Sequence, residues 1–126
     1  MSDDLIELAM RADRLRAELF PDRIVTYCVD KEQPATGNDM RPLWRAGMTG
    51  VEYLKLIAQT RLEAGLANVE VDWRGTGMKI AQLALRFGAN DFGYVEGWEE
   101  EVRRIIHDAG FVPKRRDSAY SSIAVD

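Results

Sequence analysis

The stretch NVEVDWRGTGMKIAQLALRFGANDFG, residues 68–93, sets the tightest constraint on the fold. It opens on alternating valines, turns through two glycines, runs into a segment with apolar residues at helical spacing, and closes on a second strand-like segment. Strand, helix and strand joined this closely pair in parallel, with the helix crossing over one face of the sheet. That unit builds β/α barrels, yet 126 residues are too few for the roughly 250 of a closed eight-stranded barrel. The chain therefore reads as a single domain, residues 1–126, holding part of a barrel.

The remaining elements follow the same alternation. Leu5, Leu8, Ala9, Ala12, Leu15 and Leu19 form one face of a leading helix that starts near Asp3 and ends at Pro21. RIVTYCVD, residues 23–30, has strand composition. Residues 31–48, with Pro34, Gly37, Pro42 and Gly47, read as a long loop. Thr49 and Glu52 make a capping-box pattern for a helix that carries Val51, Leu54, Ala58 and Leu62 and stops near Gly65. NVEVDW is a second strand, Met78 to Phe87 a helix closed by Gly88, and DFGYV a third strand. Trp98, Val102, Ile105, Ile106 and Ala109 stripe the next helix, which ends at Gly110. FVPKRRDS is a fourth strand, and the tail after Tyr120 reads as mobile.

The expected fold is α/β, about four mainly parallel strands alternating with helices, a partial β/α barrel of TIM type. The last three strands are expected to be neighbours. Helices on one side leave an uncovered sheet face and two open edges, so the sheet should curl, be covered by residues 31–48, or pair with another copy. A homo-oligomer is the resulting expectation.

Bulk properties narrow the function. Hydrophobic residues are 46% and charged residues 30% of the chain, as in ordinary globular proteins. The net charge of −4 argues against a nucleic acid or an anionic membrane as partner. No apolar run is long enough to span a bilayer, and the acidic, helical opening is not a secretory signal. One cysteine cannot form an internal disulfide, which is compatible with the cytoplasm.

Residues 48–93, MTGVEYLKLIAQTRLEAGLANVEVDWRGTGMKIAQLALRFGANDFG, together with EEEVRRIIHDAGFVPKRRDSAY, resemble the late barrel segment and closing helix of a family. These are the radical S-adenosylmethionine enzymes of the futalosine menaquinone pathway, dehypoxanthine futalosine cyclase and aminofutalosine synthase, and the related deazaflavin-cofactor synthases. LIELAMRADRLRAELFPDRIVTYCVD is similar to the family's leading helix and first strand. The resemblance implies a barrel whose first strand leads into C-x3-C-x2-C, three thiolates that hold a [4Fe–4S] cluster. Here Lys31, Glu32, Gln33 and Pro34 follow Asp30, and no cysteine follows Cys28. The implied chemistry is therefore not expected of this chain: no iron–sulfur cluster or other cofactor, and no metal, with residues 31–48 standing where the middle of the barrel would be. The expected role is a non-catalytic binding or interaction module, in a context of menaquinone or related cofactor metabolism. The alternative is a small enzyme or ligand-binding protein working at the strand ends.

Ligands of parallel β/α folds sit at the C-terminal ends of the strands. Asp30, Asp72, Trp73, Arg74, Gly75 and Glu96 would share that rim, and Trp73, Arg74 and Asp91 best match the family's positions. They either hold a small-molecule ligand or solvate loop ends beside neighbouring charges. GTGMK, residues 75–79, either cradles a phosphate or makes a tight turn. His107 reads as a surface residue, Cys28 as an inert buried thiol, and KRRD, residues 114–117, as a solvated edge.

Overall fold

The computed structural model describes residues 3–30 and 39–117. Residues 31–38, the first part of the expected long loop, and the tail after Tyr120 lie outside the described residues. Helix α1 (Asp3–Leu19) leads into strand β1 (Ile24–Cys28). A two-residue strand β2 (Asp39–Met40) precedes α2 (Gly50–Ala64), β3 (Asn68–Val69), the short α3 (Trp73–Thr76) and α4 (Met78–Ala84). A 3-10 turn (Leu85–Phe87), β4 (Asp91–Tyr94), α5 (Glu99–Asp108) and β5 (Val112–Arg116) complete the chain.

All pairings are parallel. β1 lies between β4 and β5, with Thr26 opposite Asp91 on one side and Lys114 on the other. β2 pairs with β3, and Glu70 bridges in parallel to Asp91, where the Val71 N–H donates to the Asp91 carbonyl at 2.9 Å. Across these contacts the strand order is β2-β3-β4-β1-β5. The α/β class and the parallel alternation agree with the sequence. Two details differ from it. Residues 39–40 pair as a fifth strand, and β5 is not the neighbour of β4, because the crossover through α5 steps over β1.

The helices form one layer, α1 packing on α2, α2 on α4, and α4 on α5. Under it lies the apolar core: Val25, Tyr27, Ile57, Val69, Phe92 and Ile106 among others. The Thr49–Glu52 capping box forms as expected, satisfying amides that would otherwise be orphaned at the start of α2. Leu54 and Ala58 are buried as expected, and the buried face of α2 also takes in Tyr53, Ile57, Thr60 and Arg61. Val51 is 54% exposed, while Arg61 is fully buried.

Arg61 is the charged member of that face. Its Nε donates to the Gly88 carbonyl at 2.8 Å, Nη1 to the carbonyls of Gly65 and Ala67 at 2.7 and 2.6 Å, and Nη2 to Asn90 Oδ1 at 2.8 Å. One rigid fork thus joins the end of α2 to the turns that open β3 and β4. Burial, with repulsion from Arg16 added, lowers its pKa to about 10, so it stays charged at neutral pH. The guanidinium lies 5.2 Å from the Phe20 ring centroid, which adds a cation–π contact. Arg61→Ala removes four hydrogen bonds, those to the buried Gly88 carbonyl and Asn90 Oδ1 and to the part-buried Gly65 and Ala67 carbonyls, and should destabilise the fold by about 3–5 kcal/mol in urea unfolding. Arg61→Lys should recover only part, because an ammonium cannot reproduce the planar fork.

Candidate functional site

The sheet face turned away from the helices is charged. Strand alternation sends Val25, Tyr27, Val69, Val71 and Phe92 into the core and leaves Thr26, Cys28, Asn68, Glu70 and Asp91 on the other side. Arg116, the last residue of β5, forks onto Asp91, with Nε to Oδ2 at 2.6 Å and Nη2 to Oδ1 at 2.7 Å. The Asp91 side chain is fully buried and that of Arg116 is 3% exposed. The Thr26 hydroxyl donates to Asp91 Oδ2, and the Gly93 N–H donates to Oδ1 at 2.6 Å.

Glu70 extends this network. Its Oε1 lies 3.7 Å from Arg116 Nη2, and its Oε2 lies 2.6 Å from Arg41 Nε. The carboxylate rests against Gly93, where a Cβ would fall 2.4 Å from Oε2 on a backbone with φ of +71°. Glycine is required there on both counts. Burial pushes the Glu70 carboxyl up to about 7, and the negative charge of Asp91 adds to the shift, while Arg41 and Arg116 pull it back. Glu70 therefore changes protonation near neutral pH.

Above the network, toward the strand ends, a cavity of about 110 Å³ is lined by Arg41, Glu70, Asp72, Trp73, Arg74 and Tyr94. Arg74 lies 4.5 Å from the Trp73 ring centroid and 5.5 Å from that of Tyr94, and Trp98 stands 6.0 Å from Trp73. Asp72 is already engaged: Oδ2 accepts from the Trp44 N–H at 2.9 Å and Oδ1 from the Gly75 N–H at 3.3 Å. Of the rim residues read from the sequence, Asp72, Trp73 and Arg74 meet at this cavity. Gly75 sits in the adjoining turn, Asp91 lies deeper in the sheet, and the exposed Asp30 and Glu96 do not line it. Glu96 instead accepts a hydrogen bond from the Tyr94 hydroxyl.

The other candidates resolve structurally. In GTGMK the Gly75, Thr76 and Gly77 amides are spent on Asp72 and on the Trp73 carbonyl, as in a tight turn. KRRD is split by the strand: Arg115 forks onto Glu99 on the helix side, while Arg116 turns to the opposite face. His107 is exposed beside Asp108 at 3.6 Å. Cys28 is buried, and burial pushes its thiol up. Glu70, Arg41, Arg116 and Tyr94 are the site residues that rim reasoning missed. The signal was present in the period-two pattern, since Asn68, Glu70 and Asp72 alternate with Val69 and Val71, which places three polar side chains on one face.

The match to known proteins agrees with this partial barrel. The family described as "CofH/MqnC C-terminal region" matches residues 37–104, more than half of the chain, and the chain belongs to that family. Similar curated proteins are 5-amino-6-(D-ribitylamino)uracil–L-tyrosine 4-hydroxyphenyl transferases. That of Methanococcus aeolicus is 35% identical over 95 residues, covering 61% of this chain and 26% of the relative. That of Methanothermobacter thermautotrophicus is 34% identical over 105 residues, covering 65% and 29%. The second such transferase of Methanosarcina mazei is 35% identical over 126 residues, covering 84% and 31%. The chain thus spans between a quarter and a third of the length of these relatives. No solved structure matches it. No described helix is long and apolar enough to cross a membrane.

A [4Fe–4S] cluster of the kind implied by the resemblance needs three protein thiolates. This chain has one cysteine, Cys28, buried and with its thiol held toward the protonated form. The donor set does not fit such a cluster. Among the described residues no three His, Cys, Asp or Glu side chains converge as metal ligands.

The Glu70 titration gives a signed expectation. A folded-state value near 7 against 4.5 unfolded means that the folded protein binds this proton more tightly. The group's contribution to stability is full below the unfolded value and is lost as pH rises through 7. Glu52, held low by the Thr49 backbone, and Glu99, held low first by Tyr27, contribute fully above the ordinary carboxylate range and lose that contribution only as pH falls below it. Unfolding free energy should therefore rise by about 2 kcal/mol between pH of about 8 and about 5. Glu70→Gln should flatten that slope in a pH series of urea unfolding curves.

Proposed function

We propose that this chain is a non-catalytic binding module of its family, one that holds a small planar molecule at the strand ends without performing the radical step. The observation that carries this reading is the cavity between Trp73, Arg74 and Tyr94, with the Arg41–Glu70 ion pair in its wall and Arg116 and Asp91 behind Glu70. Its volume, about 110 Å³, admits a ring-sized group rather than a whole cofactor. Aromatic faces beside it offer stacking, Arg74 offers positive charge, and Glu70 offers a carboxyl that accepts or donates according to its proton. The names of the relatives supply two candidates with such a ring, L-tyrosine and 5-amino-6-(D-ribitylamino)uracil. The lone, unactivated Cys28 supports the non-catalytic half of the proposal.

One observation favours a second reading, in which the chain does its own acid–base chemistry. Glu70 titrates near neutrality at the wall of the cavity, as a general acid or base would. Self-association belongs to the proposal too. It would not use the side of β5 turned away from β1, because Pro113 lacks an N–H and the cationic Lys114 and Arg115 oppose edge pairing.

Tryptophan fluorescence tests the binding reading, since Trp73 lines the cavity and Trp98 stands 6.0 Å from Trp73. Titration with L-tyrosine and with the ribitylaminouracil should change the emission saturably for one of them. Arg74→Ala should weaken that binding by about tenfold, the loss expected for one charged contact. No response to either compound contradicts the proposal. Turnover of a bound compound that disappears in Glu70→Gln would replace it with the catalytic reading.

A further inference from the structure

Three guanidinium groups gather at the opposite end of the sheet, where the strands begin. Arg16 from the last turn of α1, Arg23 from the turn before β1 and Arg86 from the 3-10 turn before β4 surround the ring of Phe111. Their Cζ atoms lie 4.7, 5.1 and 5.0 Å from its centroid. Arg23 and Arg86 also crowd one point of backbone: a Cβ built on Gly110 would fall 3.2 Å from Arg23 Nη2 and 2.9 Å from Arg86 Nη2. Like charges brought this close repel. Asp13 answers Arg16 at 3.2 Å, and among the described residues no carboxylate pairs with Arg23 or Arg86.

Cation–π contact and the carbonyls at the end of α5 explain part of the arrangement. Arg23 Nε donates to Gly110 O at 2.8 Å and Arg86 Nη2 to Ala109 O at 3.0 Å, a favourable place for a cation. That accounts for one donor of each guanidinium and leaves the rest of both forks without a protein partner among the described residues. Nor does it explain Arg23, the one described non-glycine residue with positive φ, at +62°. Such a conformation costs energy in a residue with a Cβ, and retained strain of this kind collects at binding sites. Both arginines are exposed, whereas Arg16 is buried. Arg16 feels the other two, since burial lowers its pKa and their positive charges lower it further, against the pull of Asp13.

We propose that Arg23 and Arg86, backed by Arg16, form an anion site that takes a phosphate group, either free phosphate or the phosphate of an ester. With Arg16 balanced by Asp13, two cations remain uncompensated, which matches the charge of a phosphate near neutral pH. Guanidinium forks present paired donors to phosphate oxygens, and Phe111 holds the forks in place from behind. The site is separate from the strand-end cavity and does not depend on what that cavity binds.

Thermal unfolding of the full chain with inorganic phosphate, and with glycerol phosphate as an ester, set against chloride at equal ionic strength, reads the site. The expected result is a saturable rise in melting temperature with phosphate that chloride does not give. Arg23→Gln and Arg86→Gln should each weaken the apparent affinity by about tenfold. Tighter binding of glycerol phosphate identifies the ligand as an ester, and equal binding identifies free phosphate. Equal stabilisation by chloride, or a phosphate effect that persists in the double variant, overturns the proposal. Should either variant fail to fold, the 15N shifts of the Arg23 and Arg86 Nε groups in the unaltered protein decide it. Saturable movement with phosphate supports the site, and unmoved signals overturn it.

Discussion

Arg116 reaches Asp91 across the full width of β1, and much of the structure depends on that contact. The two residues belong to β5 and β4, the strands that flank β1, and their side chains meet on the face that carries no helix. Burying two ions is costly, and the cost is offset only when geometry and remaining hydrogen bonds are satisfied together. Here they are: Thr26 of the intervening strand and the Gly93 amide fill the remaining positions on the carboxylate. The pair therefore demands β1 in the middle. A sheet wound in simple chain order would place β5 beside β4 and leave Thr26 with no carboxylate to meet.

The same contact organises the candidate site. With Asp91 committed to Arg116, Glu70 takes second place on that arginine, and its tie is to Arg41. The result is a carboxyl held rigidly against Gly93 yet poised between its two protonation states. Preorganised charge of this kind suits a polar ligand, because the protein has met the ordering cost before binding. Arg61 plays the corresponding part on the helix side, where it fixes the turns from which β3 and β4 start. Two buried arginines, one per face, thus set the positions of the strands between them.

Much of the fold was legible in the sequence, and specific residues show why the rest was not. The capping box at Thr49 and the alternation of strand and helix are local signals, and both appear where expected. The position of β1 between β4 and β5 is not local; it rests on an ion pair between residues 25 positions apart in the chain. Arg116 misled in the same way, since a cationic side chain at a strand end reads as solvated until its partners are known. At the site, Asp72, Trp73 and Arg74 were found because they follow a strand, which is where ligands bind in parallel folds. Glu70 lay two residues earlier, inside the valine-rich strand segment, where a carboxylate is unexpected without the arginines that face it.

The strand order is the most direct point of attack. Nuclear Overhauser contacts between backbone protons in a 15N,13C-labelled sample report which strands are neighbours. With β1 in the centre, contacts must run from it to both flanks, Thr26 to Asp91 and Tyr27 to Arg115, with none linking β4 to β5. Direct contacts between β4 and β5 would contradict that order, and with it the ion pair on which the candidate site is built.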